Sequence, residues 1–122
     1  MATKNEFTEY LLELLEPFGP VKGKAMFGGF GIYRYDLMFG LVARDTFYLK
    51  VDDKNRPEFE ARGLEPFTYK KKGKEIYLSY YQVPYEAMDG AEELCKWAQK
   101  AYDAAVRAAQ GKNKKKAADH QR

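Results

Sequence analysis

Apolar residues recur at helical spacing near the start of the chain. Phe7, Tyr10, Leu11, Leu14 and Leu15 fall three or four apart and make one stripe. The spacing predicts a helix over residues 4–16, with Thr3 and Glu6 as a capping box. Pro17, Gly19 and Pro20 end it. The period then changes to that of strands. Residues 21–51 read as a β-meander. Lys22 and Lys24 alternate with smaller or apolar neighbours, and Gly28-Gly29 breaks the run. Gly31-Ile32-Tyr33-Arg34 resumes it and Tyr35-Asp36 is a turn. Leu37 to Ala43 is continuously apolar, as a central strand would be. Thr46 to Val51 is β-branched and aromatic.

A short helix is expected over about 55–62. Asn55 would cap it, Pro57 suits its first turn, Phe59 is its buried contact and Gly63 ends it. Residues 66–69 and 76–81 read as a hairpin with Lys71-Lys72-Gly73-Lys74 at its tip. Pro84 starts a turn. A last helix over about 90–109 opens on Asp89 and Glu92 at capping-box spacing. Leu94, Ala98, Ala101 and Ala105 share one face, with Trp97 and Tyr102 nearby. The order α-β-β-β-β-α-β-β-α implies an α+β fold, an antiparallel sheet with helices on one face. The other sheet face is left open, and an aromatic-rich open face invites a partner, often a second copy. A homodimer is therefore expected.

Length and composition agree with one domain. The 122 residues are 45% hydrophobic and 16% aromatic, enough for a single core. Residues 1–110 form the expected domain and 111–122 an expected disordered, basic tail. The net charge of +3 is unevenly placed. Residues 112–122 hold five basic side chains against Asp119, a net +4, which leaves −1 for the first 111 residues. That balance does not by itself mark the folded part as a nucleic-acid binder. No signal-like apolar run opens the sequence, and no stretch approaches the ~20 apolar residues of a membrane span. The single cysteine rules out an internal disulfide and fits a reducing compartment. A cytoplasmic location without membrane contact is expected.

The residues offer little for bond-making. The one histidine, His120, lies in the tail, and the one serine, Ser79, lies in a predicted strand without a nucleophile-elbow sequence. Cys95 falls inside a helix and reads as a small buried hydrophobe. Asp52-Asp53 and Glu92-Glu93 are adjacent carboxylates, which point apart; capping and solubility account for them better than a metal. Gly28-Gly29-Phe30-Gly31 lacks the following helix that a phosphate cradle needs. No catalytic residue, metal or cofactor is assigned, and the chain is expected not to be an enzyme.

Candidate contact residues remain. Lys70, Lys71, Lys72 and Lys74 cluster on one hairpin beside Tyr69 and Tyr77. Lysine with tyrosine suits nucleic acid, whereas a charged hairpin tip also discourages edge pairing. Lys96, Lys100 and Arg107 with Asp103 read as an ordinary solvent face. Tyr80 and Tyr81 point to opposite sheet faces, one into the core and one outward or against a partner.

Several segments together resemble the TfoX/Sxy N-terminal domain family: Met26 to Tyr33, Leu37 to Val42, Phe47 to Asp52, Phe59 to Tyr69, Ser79 to Pro84, and Trp97-Ala98. The resemblance covers about residues 5–109. It implies a secretion-chaperone-like two-layer α+β fold and a link to regulation of competence, the uptake of DNA by bacteria. Relatives often carry Asp-Gly where Tyr35-Asp36 stands, so this hairpin is expected to be looser or longer. The family's full-length regulators have a second, C-terminal domain, and this sequence reads as the N-terminal domain followed only by a basic tail. The expected role is a non-catalytic regulatory module that docks a protein, for example a transcription factor. The alternative is direct nucleic-acid binding through the Lys70–Lys74 hairpin and the tail.

Overall fold

Alternating side chains and tight turns build one sheet. In the computed structural model, which describes residues 6–26 and 28–120, the strands are β1 (Val21–Met26), β2 (Gly29–Arg34), β3 (Leu37–Ala43), β4 (Thr46–Lys50), β5 (Pro66–Lys71) and β6 (Lys74–Gln82). They lie in the order β1-β2-β3-β4-β6-β5, and every neighbouring pair is antiparallel. The helices are α1 (Glu6–Leu14), α2 (Arg56–Ala61) and α3 (Ala91–His120), with 3-10 turns at Glu16–Phe18 and Tyr85–Asp89. The α+β order is the one the pattern predicts. Thr3, the proposed cap of the first helix, and Phe27 lie outside the described residues.

The β2–β3 hairpin is tighter than expected. Tyr35 and Asp36 both have positive φ, 51° and 63°, and join β2 to β3 with no residue between them and the strands. Arg44-Asp45 and Lys72-Gly73 do the same for β3–β4 and β5–β6. Two consecutive residues of positive φ make the turn that matches the right-handed twist of a hairpin. The loose hairpin expected at Tyr35-Asp36 is thus a tight one, reached without glycine at the small cost of two left-handed L-residues.

All three helices cover one sheet face. Leu11 and Leu15, Phe59, and Leu94, Trp97, Ala98, Ala101 and Ala105 pack on Phe30, Ile32, Phe39, Val42, Phe47 and Leu49. Tyr10 falls at the edge of the α1 stripe, 46% exposed, and its hydroxyl donates to the Met88 carbonyl. Thr8, buried, takes the place on the stripe that spacing assigns to Tyr10. A bulge lies where β3 passes from Gly40 to Met38 opposite Ile32 and Tyr33. It turns Phe39 and Gly40 both toward the helices. Phe39 then meets Phe18 and Tyr102 edge-to-face at 5.5 and 6.1 Å. Gly40 leaves room for the Phe47 ring, which would lie 2.6 Å from an added Cβ.

Helix α2 is not capped as expected. The Asn55 side chain makes no cap bond to it. It faces backward instead, accepting from the Asp52 amide at 2.7 Å and donating to the Lys50 carbonyl at 3.0 Å. Asp52 accepts from the amides of Lys54 and Asn55. The two side chains close the β4-to-α2 connection on itself.

Gly90, not Asp89, precedes α3; Asp89 ends a 3-10 turn. The backbone of α3 is helical to His120, across the stretch from 111 where a disordered tail is expected. Lysine and alanine there favour helix and no proline interrupts them. Gly111 opposes it by roughly 1 kcal/mol, and Asn113 and Asp119 by less. Residues 121 and 122 lie outside the described residues.

Candidate interaction surface on the open sheet face

Register and alternation sort every strand residue to one of two faces. Opposite the helices, β1 presents Lys22, Lys24 and Met26, and β2 presents Gly31 and Tyr33. Across from these stand Met38, Leu41 and Ala43 of β3, then Tyr48 and Lys50 of β4. Tyr80, Leu78, Ile76 and Lys74 of β6 and Phe67, Tyr69 and Lys71 of β5 complete the face. Five lysines project from it: Lys22, Lys24, Lys50, Lys71 and Lys74. The six strands contain one carboxylate, Glu75, and it pairs with Lys70 on the opposite face. The open face therefore carries lysines and no strand carboxylate.

The face is concave. A groove of about 500 Å³ is lined by Met26, Met38, Leu41, Phe67, Tyr69 and Leu78, with Lys71 at its rim. Met26 comes from one edge strand and Phe67, Tyr69 and Lys71 from the other, so the sheet curls its edges toward each other. Gly31 deepens the groove. An added Cβ there would lie 2.8 Å from the Met26 sulfur and 3.3 Å from that of Met38. Without a side chain at 31, the two thioethers converge on the floor.

The aromatic rings of this face are largely occupied. Lys24 Nζ sits 4.8 Å from the Tyr33 centroid, and Lys50 Nζ 5.3 Å from that of Tyr80. Tyr48 meets Phe67 edge-to-face at 5.1 Å. Burial, with Tyr33 nearby, pushes the Tyr80 phenol up to about 12. Tyr80 is thus neutral and half-buried at any ordinary pH.

The expected contact residues separate on the fold. Lys71 and Lys74 reach the open face, Lys70 faces the other way and Lys72 is in the turn. Tyr80 and Tyr81 do take opposite faces: Tyr81 packs on the core beside Phe59, 5.9 Å between centroids, and Tyr80 lies on the open side. Lys22, Lys24, Met26, Met38 and Leu41 escape a reading confined to local clusters. The signal for them is the alternation Lys22-x-Lys24-x-Met26 in strands otherwise nearly free of carboxylates.

The helix layer carries charge differently. Arg107 pairs with Asp52 at 2.6 Å, Lys100 with Glu58 at 2.7 Å and Arg62 with Glu86 at 3.3 Å. Lys100 and Arg107 are thus ties from α3 to the rest of the domain rather than a plain solvent face. The Arg107 guanidinium holds the Asp52 carboxyl down at about 2. Cys95 is half-buried, its thiol near the Leu14 carbonyl, and burial pushes its pKa up, away from the reactive thiolate. Among the described residues, no group of His, Cys, Asp or Glu is arranged to hold a metal, and no helix is long and apolar enough to cross a membrane.

These features place the molecule among two-layer α+β domains that leave one sheet face uncovered. More narrowly, the chain belongs to the TfoX N-terminal domain family, which it matches over residues 13–105. It is similar to the DNA transformation protein TfoX1 of Aliivibrio fischeri (strain ATCC 700601 / ES114), at 29% identity over 75 residues. That alignment covers 62% of this chain and 36% of the relative, so the chain spans little more than a third of the relative's length.

Proposed function

We propose that this chain is a non-catalytic regulatory module that acts in the control of DNA uptake by docking a protein in the cytoplasm. The single observation that carries the contact reading is the open sheet face, where half-buried Met26, Met38 and Phe67 and exposed Tyr69 and Leu78 meet Lys22, Lys24, Lys71 and Lys74. Monomeric domains rarely leave such a face without use. The family membership and the relative's role in DNA transformation supply the biological setting. Cys95, with its raised pKa, is no ready nucleophile. The homodimer expected from the aromatic content is not placed on the open face, because two lysine-bearing faces repel when apposed. Deleting the gene in a transformable host should lower transcripts of DNA-uptake genes. Unchanged transcripts and unchanged transformation would remove the regulatory reading, and turnover of a small molecule by the purified chain would remove the non-catalytic one.

A second reading has its own observation. Five lysines on one face also suit direct contact with phosphates. It expects retardation of DNA at low salt that vanishes steeply as salt rises, and no retardation at any salt would remove it.

A further inference from the structure

We infer that the groove on the open sheet face is a docking site for an acidic protein segment that carries two or three large apolar side chains. This deepens the module reading above and rests on it. The groove has two chemical parts. Its lining is mostly aliphatic and thioether, Met26, Met38, Leu41 and Leu78, with the rings of Phe67 and Tyr69 on one side. Its flanks are cationic on both sides, with Lys22 and Lys24 on edge strand β1 and, across the sheet, Lys71 on edge strand β5 paired in register with Lys74 of β6. An occupant must therefore bring apolar groups to the middle and negative charge to both sides. About 500 Å³ accommodates a few large side chains, not a folded domain. Methionine-rich floors adapt to apolar anchors of differing shape, the property used by grooves that receive amphipathic segments.

Nucleic acid fits the flanks but not the floor. Sequence-tolerant binding of single strands relies on free ring faces for base stacking. Here Tyr33 and Tyr80 each hold a lysine over the ring, Tyr48 and Phe67 are spent on one another, and Tyr69, the exposed ring of the groove, leans on Phe67 at 6.2 Å, which leaves no stack of successive free rings. A duplex would contact the lysines and leave the apolar floor wet. A second copy of this chain apposed at the same face brings lysines against lysines. An acidic segment with apolar anchors satisfies both parts together.

The test pans a random sixteen-residue peptide display library against the intact chain and measures the enriched peptides by fluorescence anisotropy. Enriched sequences should be rich in Asp and Glu and carry spaced Leu, Phe or Met. Their affinity should fall about tenfold in Lys22→Glu/Lys24→Glu/Lys71→Glu, whose sites are exposed, so that folding persists. Leu78→Asp, at 36% exposure, should weaken the same peptides without lowering the unfolding temperature. Basic or uncharged winners overturn the inference. Acidic winners that bind the triple variant unchanged also overturn it, while leaving a protein-docking module with its site elsewhere. A single-stranded oligonucleotide that displaces the peptides at lower concentration than they bind replaces the inference with the nucleic-acid reading. No enrichment at all removes both the groove and the docking module.

Discussion

The two faces of the sheet are made by the same strands, one residue apart, and they differ in almost every physical respect. On the helix side, Phe30, Ile32, Phe39, Phe47 and Leu49 are sealed under three helices, and the charges above them are paired across elements. On the open side, Met38, Leu41, Phe67 and Leu78 line a groove, and lysines stand around it. The helix side spends its residues on stability. The open side keeps apolar area in contact with solvent and like charges on one surface, both of which oppose stability. That contrast is what the proposed docking role requires of the open face.

The contrast is sharpest at neighbouring residues. Phe39→Ala removes a fully buried ring from the Phe18–Tyr102 cluster and should cost about 3–5 kcal/mol in a denaturant titration. Met38→Ala, one residue earlier and on the open face, should cost under about 1 kcal/mol. Equal losses at the two sites would mean that the open face is part of the core.

Charge breaks the symmetry next. Asp52 is held at about 2 by Arg107, against an ordinary value of 3.8. A depressed carboxylate contributes stability that is present above its unfolded value and lost as pH falls through the folded one. Stability should therefore decline between about pH 4 and pH 2, and Asp52→Asn should flatten part of that decline. After allowance for solvent screening, the pair is worth about 1–2 kcal/mol. Charge reversal at Lys22, by contrast, should leave the thermal midpoint nearly unchanged.

Tyr80 gives the alkaline counterpart on the open side. Its phenol ionises only near about 12 in the folded chain and near 10 when unfolded. Between those values the unfolded state binds fewer protons, so stability falls as pH rises. An absorbance titration should resolve one late tyrosine, and Tyr80→Phe should abolish it. The smallest effect is expected at the β2–β3 turn. Asp36→Gly relieves a positive φ of 63° and should raise stability by up to about 1 kcal/mol by thermal melt.

Much of the architecture is legible without coordinates. The 3.6-residue stripe at Leu94, Ala98, Ala101 and Ala105 and the apolar run from Leu37 to Ala43 are direct marks of a buried helix face and a central strand. Other features are not legible. The bulge at Phe39 leaves no trace in a continuous apolar run, since every residue there looks equally core-like. Asn55 before a proline reads as a cap, and only the fold brings the Asp52 amide and the Lys50 carbonyl within its reach. The hairpin cluster Lys70–Lys74 looks like one basic patch, yet a two-residue period splits it between faces.

Sequence alone determined the element order, the helix-covered core and the family, because each rests on local period and on the succession of short segments. Tertiary structure alone decided where the charge goes. The net charge of the first 111 residues is near zero, and nothing along the chain says that every carboxylate but Glu75 ends up outside the strands while Lys22, Lys24, Lys50, Lys71 and Lys74 share one surface. Strand order and register set residues as distant as Tyr48 and Gln82 side by side, and a sum over the sequence erases the separation that a curled sheet creates.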